Sequence, residues 1–90
     1  MATMYILLTA KGKFYVGSTE DLGKRLAVHS MGKVKTTKSQ LPVTLVYQEE
    51  FSTRGDAQRR EYQIKKWKSS KLIKSLIESR GTHTASSSNG

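Results

Sequence analysis

Five side chains in this sequence could act together on a phosphate ester. They are two phenols, a guanidinium, an imidazole and a carboxylate, carried by Tyr5, Tyr15, Arg25, His29 and Glu61. A guanidinium can hold a phosphate through two parallel hydrogen bonds, and an imidazole can carry a proton near neutral pH. A carboxylate can bind a divalent cation. These groups suit an in-line attack on a phosphoryl centre, provided that the fold brings them together.

Arg25 and His29 are spaced as one turn of a helix. They are four residues apart, so on a helix they lie on the same side, which overlaps the apolar side of Leu22 and Leu26. An ordinary structural role accounts for both, as an exposed arginine and as a histidine favoured by the helix dipole near a C-terminus. Taken alone, the pair favours that ordinary role. The functional alternative is a phosphate-binding arginine with a proton-carrying histidine.

Glu61 is placed unusually for a carboxylate. It comes four residues after Ala57 and three before Ile64, which puts it on the apolar side of a predicted helix. A buried carboxylate must be paired, bound to a metal or protonated, because an isolated charge is costly to bury. Two interpretations stay open: an ion pair with a neighbouring arginine or lysine, for example Arg59 or Arg60, and a ligand of Mg²⁺, which keeps most of its waters and needs few carboxylates.

Tyr5 and Tyr15 lie in a predicted β-hairpin, where aromatic pairs ordinarily serve packing. A two-residue turn would place Tyr5 and Tyr15 on opposite faces. A three-residue loop over residues 10–12 would pair Thr9 with Lys13 and put both tyrosines on one polar face. This second register separates apolar from polar residues better, and it gives Gly12 the left-handed position of the turn. We therefore predict the three-residue loop.

The remaining patterns predict an α+β domain, with a three-stranded antiparallel sheet flanked by about three helices. The domain is predicted to span residues 1–80, followed by a disordered tail over 81–90. Strands are predicted at residues 3–9, 13–17 and 43–51, and a loop at 30–41. Helices are predicted at 20–29 after a Ser18 or Thr19 cap, from the Thr53 cap to 66, and at 71–79 after a Ser69 or Ser70 cap, stopped by Gly81.

The charge balance favours a polyanionic partner. Sixteen lysines and arginines against seven acids give a net charge of +9 over 90 residues. The alternative is a merely basic, soluble surface. Lys13, Lys33, Lys35 and Lys38 could follow a DNA backbone without reading bases. The sequence has no cysteine, and no apolar run long enough to span a membrane, so we expect a soluble, cytoplasmic protein that does not bind membranes.

These residues also resemble a known family. The runs over residues 4–7 and 12–19, with tyrosines ten apart, resemble the paired GIY and YIG elements of the GIY-YIG endonucleases. Arg25 and His29 match an Arg-x-x-x-His element, and Glu61 matches the glutamate of the family's metal-binding helix. Residues 41–47 are similar to the third strand of small, stand-alone bacterial members. The resemblance covers about residues 3–78; the loop at 33–40 departs from it by lacking an aromatic residue.

The resemblance implies a metal-dependent DNA endonuclease with weak sequence specificity, acting in DNA repair, recombination or processing. Glu61 would hold one divalent ion, Mg²⁺ or Mn²⁺, and Arg25 would stabilise charge on the phosphate. A tyrosinate, or His29, would deprotonate the attacking water; the residues do not decide between the phenols of Tyr5 and Tyr15. A protein partner could supply targeting, and the oligomeric state stays open. The alternative function is a non-catalytic nucleic-acid-binding module.

Overall fold

The computed structural model describes residues 1–35 and 37–86 and confirms the α+β architecture. Its single sheet has three antiparallel strands in the order β2-β1-β3, so β1 lies in the centre. The strands are β1 (Ala2–Thr9), β2 (Phe14–Thr19) and β3 (Val43–Phe51), and the helices are α1 (Leu22–Ser30), α2 (Arg54–Lys65) and α3 (Ser70–Ser86). The loop predicted between α1 and β3 contains one short 3-10 turn, Lys38–Gln40.

The β1–β2 hairpin adopts the register with the three-residue loop. Leu8 pairs with Phe14, and the Thr9 amide donates to the Lys13 carbonyl at 2.8 Å. The Gly12 amide donates to the Thr9 carbonyl at 2.9 Å, and Gly12 has a φ of +78°, in the left-handed region that glycine adopts without strain. The prediction of this register is confirmed, so Tyr5 and Tyr15 share a face of the sheet.

Both faces of the central strand are buried. Met4 and Ile6 face the main core, where Ile64 of α2 and Ile73 of α3 pack against them. Tyr5, on the other face, has an exposed fraction of 0%. The prediction that this second face is polar was therefore wrong for β1: Tyr5 lies beneath side chains of α1 instead of meeting solvent.

Two helix starts differ in how well they were predicted. The Thr53 hydroxyl accepts from the Asp56 amide at 3.1 Å, as the predicted cap of α2 requires. The predicted cap of α1, Ser18 or Thr19, is wrong, because the Asp21 side chain accepts from the Lys24 amide at 3.0 Å. Asp21 can take this role because aspartate caps a helix as well as serine does, and α1 then begins two residues later.

The last helix is longer than its sequence pattern predicts. The Ser69 hydroxyl accepts from the Leu72 amide at 3.2 Å, as a cap does, but α3 continues past Gly81 to Ser86. One glycine weakens a helix by about 1 kcal/mol without having to end it. The predicted domain end at residue 80 thus lies inside α3, and residues 87–90 of the predicted tail lie outside the described residues. Within the described residues, no helix combines the length and the hydropathy of a membrane-spanning segment.

Candidate active site

The phenol of Tyr5 lies directly over a glycine of the neighbouring strand. Tyr5 pairs with Gly17 across the hairpin, and a Cβ at position 17 would be 2.5 Å from the Tyr5 hydroxyl oxygen and 2.6 Å from its Cζ. No side chain fits at that distance. Gly17 therefore lets the Tyr5 ring lie across β2, so that its hydroxyl lies directly over that strand.

Replacing Gly17 with alanine should destabilise the protein. The new methyl group must push the buried Tyr5 ring aside, and overpacking of this kind typically costs about 1–3 kcal/mol. Chemical denaturation would measure the loss in free energy of unfolding. Gly55→Ala is the matched control, since nothing lies within 4 Å of its added Cβ in α2 and alanine favours a helix. Equal stability of the two variants would contradict the close contact.

A chain of hydrogen bonds joins α1 to the central strand and to the following loop. Arg25 Nε donates to the Tyr5 hydroxyl at 3.3 Å, and that hydroxyl lies 3.2 Å from His29 Nε2. His29 Nδ1 lies 2.9 Å from the Thr37 hydroxyl. His29 and Thr37 are 0% and 1% exposed, so these contacts are shielded from water. The helical spacing of Arg25 and His29 thus places both side chains on one phenol.

The electrostatics favour neutral forms of Tyr5 and His29. Burial raises the pKa of Tyr5, and the hydrogen bond from Arg25 opposes this rise without cancelling it. Burial, and then the positive charge of Arg25, lower the pKa of His29 below its ordinary value. A neutral phenol can donate to Nε2 of a neutral imidazole, which leaves the proton on Nδ1 to be donated to Thr37. Tyr5 and His29 Nδ1 are therefore assigned as the donors because both side chains are neutral.

Tyr15 lies beside this chain and is partly open to solvent. Its ring centroid is 6.5 Å from that of Tyr5 and 5.0 Å from that of His29, against which it packs edge to face. A hydrogen bond to Tyr5 is the main cause that raises the pKa of Arg25, and Tyr15 adds a smaller bond. The guanidinium therefore stays charged between two phenols. Both tyrosines, Arg25 and His29 form one cluster.

Glu61, on α2, contacts β2, the strand over which the Tyr5 phenol lies. The Ser18 hydroxyl donates to Glu61 Oε1 at 2.6 Å, and Lys65 Nζ donates to Oε2 at 2.6 Å. Ser18 directly follows Gly17, over which the Tyr5 phenol lies, so the carboxylate and the phenol contact neighbouring residues of β2 from its two faces. The negative charge of Glu61 adds a small contribution to the raised pKa of Tyr5. The Glu61 side chain is 21% exposed, which leaves it accessible to a ligand.

The interpretation of Glu61 as the ion-pair partner of a neighbouring basic residue is confirmed, and the partner is a lysine instead of either arginine named as an example. Arg59 pairs with Asp56 at 2.8 Å, and Arg60 pairs with Glu49 at 3.1 Å. Lys65 takes their place because it lies four residues after Glu61, one turn along the same side of α2. The i,i+4 spacing in the sequence could have identified this pair.

The donor set around Glu61 fits a cation that needs one protein carboxylate. Among the described residues, no three histidine, cysteine, aspartate or glutamate side chains gather as a metal cluster. Mg²⁺ and similar ions commonly take one or two carboxylates and complete their shell with water and phosphate oxygens. Glu61 can supply such a carboxylate, provided that Lys65 releases Oε2.

The lysines predicted to contact DNA are all exposed, and three of them lie on the loop that joins the site. Lys33, Lys35 and Lys38 flank Thr37, whose hydroxyl bonds His29. Lys13 lies at the hairpin turn, two residues before Tyr15. Sequence reasoning missed Thr37, because a contact made from an irregular loop carries no periodic signal.

Comparison with known proteins identifies similar chains. A family model described as the GIY-YIG catalytic domain matches residues 1–74. A UPF0213 protein of Bacillus pumilus is 40% identical over 84 residues, which cover 88% of this chain and 86% of the relative. A UPF0213 protein of Staphylococcus haemolyticus is 42% identical over 76 residues, covering 83% of this chain and 93% of the relative.

A solved structure shares the fold. The solution NMR structure of a UPF0213 protein from Bacillus halodurans is 32% identical to this chain and superposes with a TM-score of 0.59. The superposition covers 90% of this chain and 87% of the other. The similarity therefore extends over most of both chains.

Proposed function

Because this chain belongs to the GIY-YIG family, we propose that it is a metal-dependent endonuclease that hydrolyses phosphodiester bonds in DNA. The observation that carries the proposal is the cluster on β1 and β2. Arg25 and His29 both bond the Tyr5 phenol, and the Glu61 carboxylate reaches the same stretch of strand through Ser18. A merely structural arrangement would not need this combination of groups at one edge of the sheet.

Arg25 is the proposed phosphate ligand. Its guanidinium is partly exposed, remains charged, and is held between the phenols of Tyr5 and Tyr15. On binding DNA it would exchange the bond to Tyr5 for a bidentate contact with the scissile phosphate, which also uncovers the phenol. Negative charge grows on the phosphoryl oxygens as water attacks, and a fixed guanidinium stabilises that charge without reorganisation.

Tyr5 and His29 are the proposed path for the proton of the attacking water. The raised pKa of Tyr5 argues against a standing tyrosinate, so the phenol must lose its proton as it accepts one from water. His29 Nε2 is the acceptor, since its lowered pKa keeps the imidazole neutral. The water oxygen bonds phosphorus, the bond from phosphorus to the 3′ oxygen breaks, and the 3′ oxygen takes a proton from solvent to become a hydroxyl. The proton passed on by Tyr5 ends on His29. Tyr15 would orient the water or the phosphate.

Glu61 is the proposed ligand of one Mg²⁺ or Mn²⁺. Such an ion supplies Lewis-acid stabilisation of the phosphate and of the leaving 3′ oxygen when it is bound. Ser18 fixes the carboxylate by its hydrogen bond to Oε1 and leaves Oε2 to the cation. Positioning of Glu61 is therefore the contribution of β2 to the metal site.

The DNA contacts proposed for Lys13, Lys33, Lys35 and Lys38 are to phosphates. Exposed lysines on a loop add sequence-independent affinity, which agrees with weak sequence preference. Weak sequence preference is consistent with a role in DNA repair, recombination or processing, either alone or with a protein partner that supplies targeting.

The test is incubation of the protein with circular, linear, single-stranded and branched DNA, with Mg²⁺, with Mn²⁺ and with a chelator. We expect nicking of at least one substrate with metal and none with the chelator. Salt-dependent binding of DNA without cleavage in any metal condition, at any protein concentration, would instead identify a non-catalytic binding module.

Lys65 should weaken metal binding by Glu61. Its ammonium pairs with Oε2 at 2.6 Å, and the two side chains are 49% and 21% exposed. Exposed pairs of this kind are worth about 0.2–1 kcal/mol, so Lys65→Met should tighten Mn²⁺ affinity by about 1.5- to 5-fold, as measured by calorimetry without DNA. Lys66→Met is the control, because Lys66 lies over the Tyr62 ring instead. Equal affinities of the two variants would show that the pair does not compete.

A further inference from the structure

A groove follows the outer edge of β2 and begins at the candidate active site. One depression of about 390 Å³ is lined by residues 14–16 on the strand side and by Lys65 and Lys68 on the helix side. A second, of about 500 Å³, shares Phe14 with the first and is lined by Lys71 and Lys74 of α3. Together we call them the edge groove, defined by residues 14–16, Lys65, Lys68, Lys71 and Lys74.

The edge groove runs along backbone that has no partner strand among the described residues. β2 pairs with β1 alone, so its outer edge presents amide and carbonyl groups. Consecutive strand residues point to opposite faces, and residues 14–16 all line the groove, which places it along this edge. Tyr15 belongs both to the groove and to the active-site cluster, so the groove is continuous with that cluster.

The helix side of the edge groove is positively charged. Lys68, Lys71 and Lys74 are exposed, and none of the three forms an ion pair with a described acid. The three lysines are spaced three residues apart: Lys68 lies in the turn before α3, and Lys71 and Lys74 lie in the first part of that helix. Lys68 has a φ of +49° and is, among the described residues, the one non-glycine residue with positive φ. Such backbone is unfavourable for lysine, and residues held in it are often found at functional sites.

We propose that the edge groove binds the sugar-phosphate backbone of duplex DNA beyond the bond that is cut. This rests on the proposed nuclease function, and it extends the DNA-binding surface from the loop after α1 to α2 and α3, which pack on the other face of the sheet. Lys68, Lys71 and Lys74 contact successive phosphates of one DNA strand. The backbone amides on the outer edge of β2, which have no partner strand among the described residues, face the same DNA strand. A duplex that contacts both the loop after α1 and the edge groove is held at two places beside the active-site cluster, which fixes the scissile phosphate at Arg25.

The test is the salt dependence of duplex binding, measured by fluorescence anisotropy without metal. All proteins carry Glu61→Gln, so that the DNA stays intact. Each lysine–phosphate contact adds about 0.9 to the slope of log affinity against log salt. The triple variant Lys68→Gln, Lys71→Gln, Lys74→Gln should lose about 2–3 from that slope. The pair Lys71→Gln, Lys74→Gln, which leaves the turn at Lys68 unchanged, should lose about 2.

The matched control removes the same charge elsewhere. Lys24, Arg59 and Lys66 lie outside the edge groove, and their combined change to glutamine should lower the slope by less than about 1. Equal losses in the groove and control variants, or an unchanged slope in both groove variants, would overturn the proposal, and the edge of β2 would then be open to a protein strand. The nuclease function is decided separately, by whether the protein without any substitution cleaves DNA when metal is present. The slope does not depend on cleavage, because it is measured without metal.

Discussion

Glu61→Gln is expected to reduce metal-dependent nicking by about 1,000-fold or more. Glutamine keeps the shape of the side chain and can still accept from Ser18, but it removes the negative charge. A hard divalent cation needs that charge, and its loss removes the Lewis-acid stabilisation of the leaving oxygen, worth several kcal/mol. Plasmid nicking over a range of protein concentrations measures the effect.

DNA affinity should respond in the opposite way to Glu61→Gln. The substitution removes a negative charge and releases Lys65, so binding without metal should be unchanged or slightly tighter. Asp56→Asn is the matched control, since Asp56 is also an ion-paired carboxylate of α2 but pairs with Arg59, away from the cluster. Wild-type nicking by Glu61→Gln protein would exclude Glu61 as the essential ligand.

The hairpin shows how much a short segment of sequence can predict. Alternation of apolar and polar residues, with Gly12 in the turn, is enough to choose between two registers, and the register places Tyr5 and Tyr15 on one face. The burial of Tyr5 was not predictable from that alternation. It depends on His29 and Arg25, which arrive from a helix about twenty residues later, and local patterns carry no information on such packing.

The partners of the candidate residues were harder to predict than the residues themselves. Glu61 stands out in the sequence because it is a carboxylate on the apolar side of a helix. Its partners do not: Ser18 is brought to it by the packing of α2 against β2, and Lys65 is one of several nearby basic residues that could have paired with it. Thr37 orients His29 from an irregular loop, where no periodicity marks a buried residue. Motifs thus identify reactive groups, while tertiary contacts decide their protonation and geometry.

Tyr5→Phe should reduce the cleavage rate by about 100- to 10,000-fold, the range typical of a lost general acid–base group. The substitution removes the hydroxyl that joins the water to His29 Nε2 and leaves the ring packed over Gly17. Tyr62→Phe is the control, because Tyr62 is 65% exposed on α2 and lies outside the cluster. Cleavage by Tyr5→Phe at the wild-type rate would remove the phenol from the proton path.

The pH dependence of cleavage should reveal the other end of that path. His29 can accept the phenol proton while it is neutral, so the rate should fall as the pH decreases through the His29 pKa. Burial and the charge of Arg25 set that pKa below its ordinary value of about 6.5, which keeps the path open at neutral pH. The acid limb should therefore lie below pH 6.5, should coincide with the His29 titration observed by NMR, and should vanish from the residual activity of His29→Gln. An acid limb that persists unchanged in His29→Gln would assign the proton to another group, because glutamine cannot titrate and so cannot produce it.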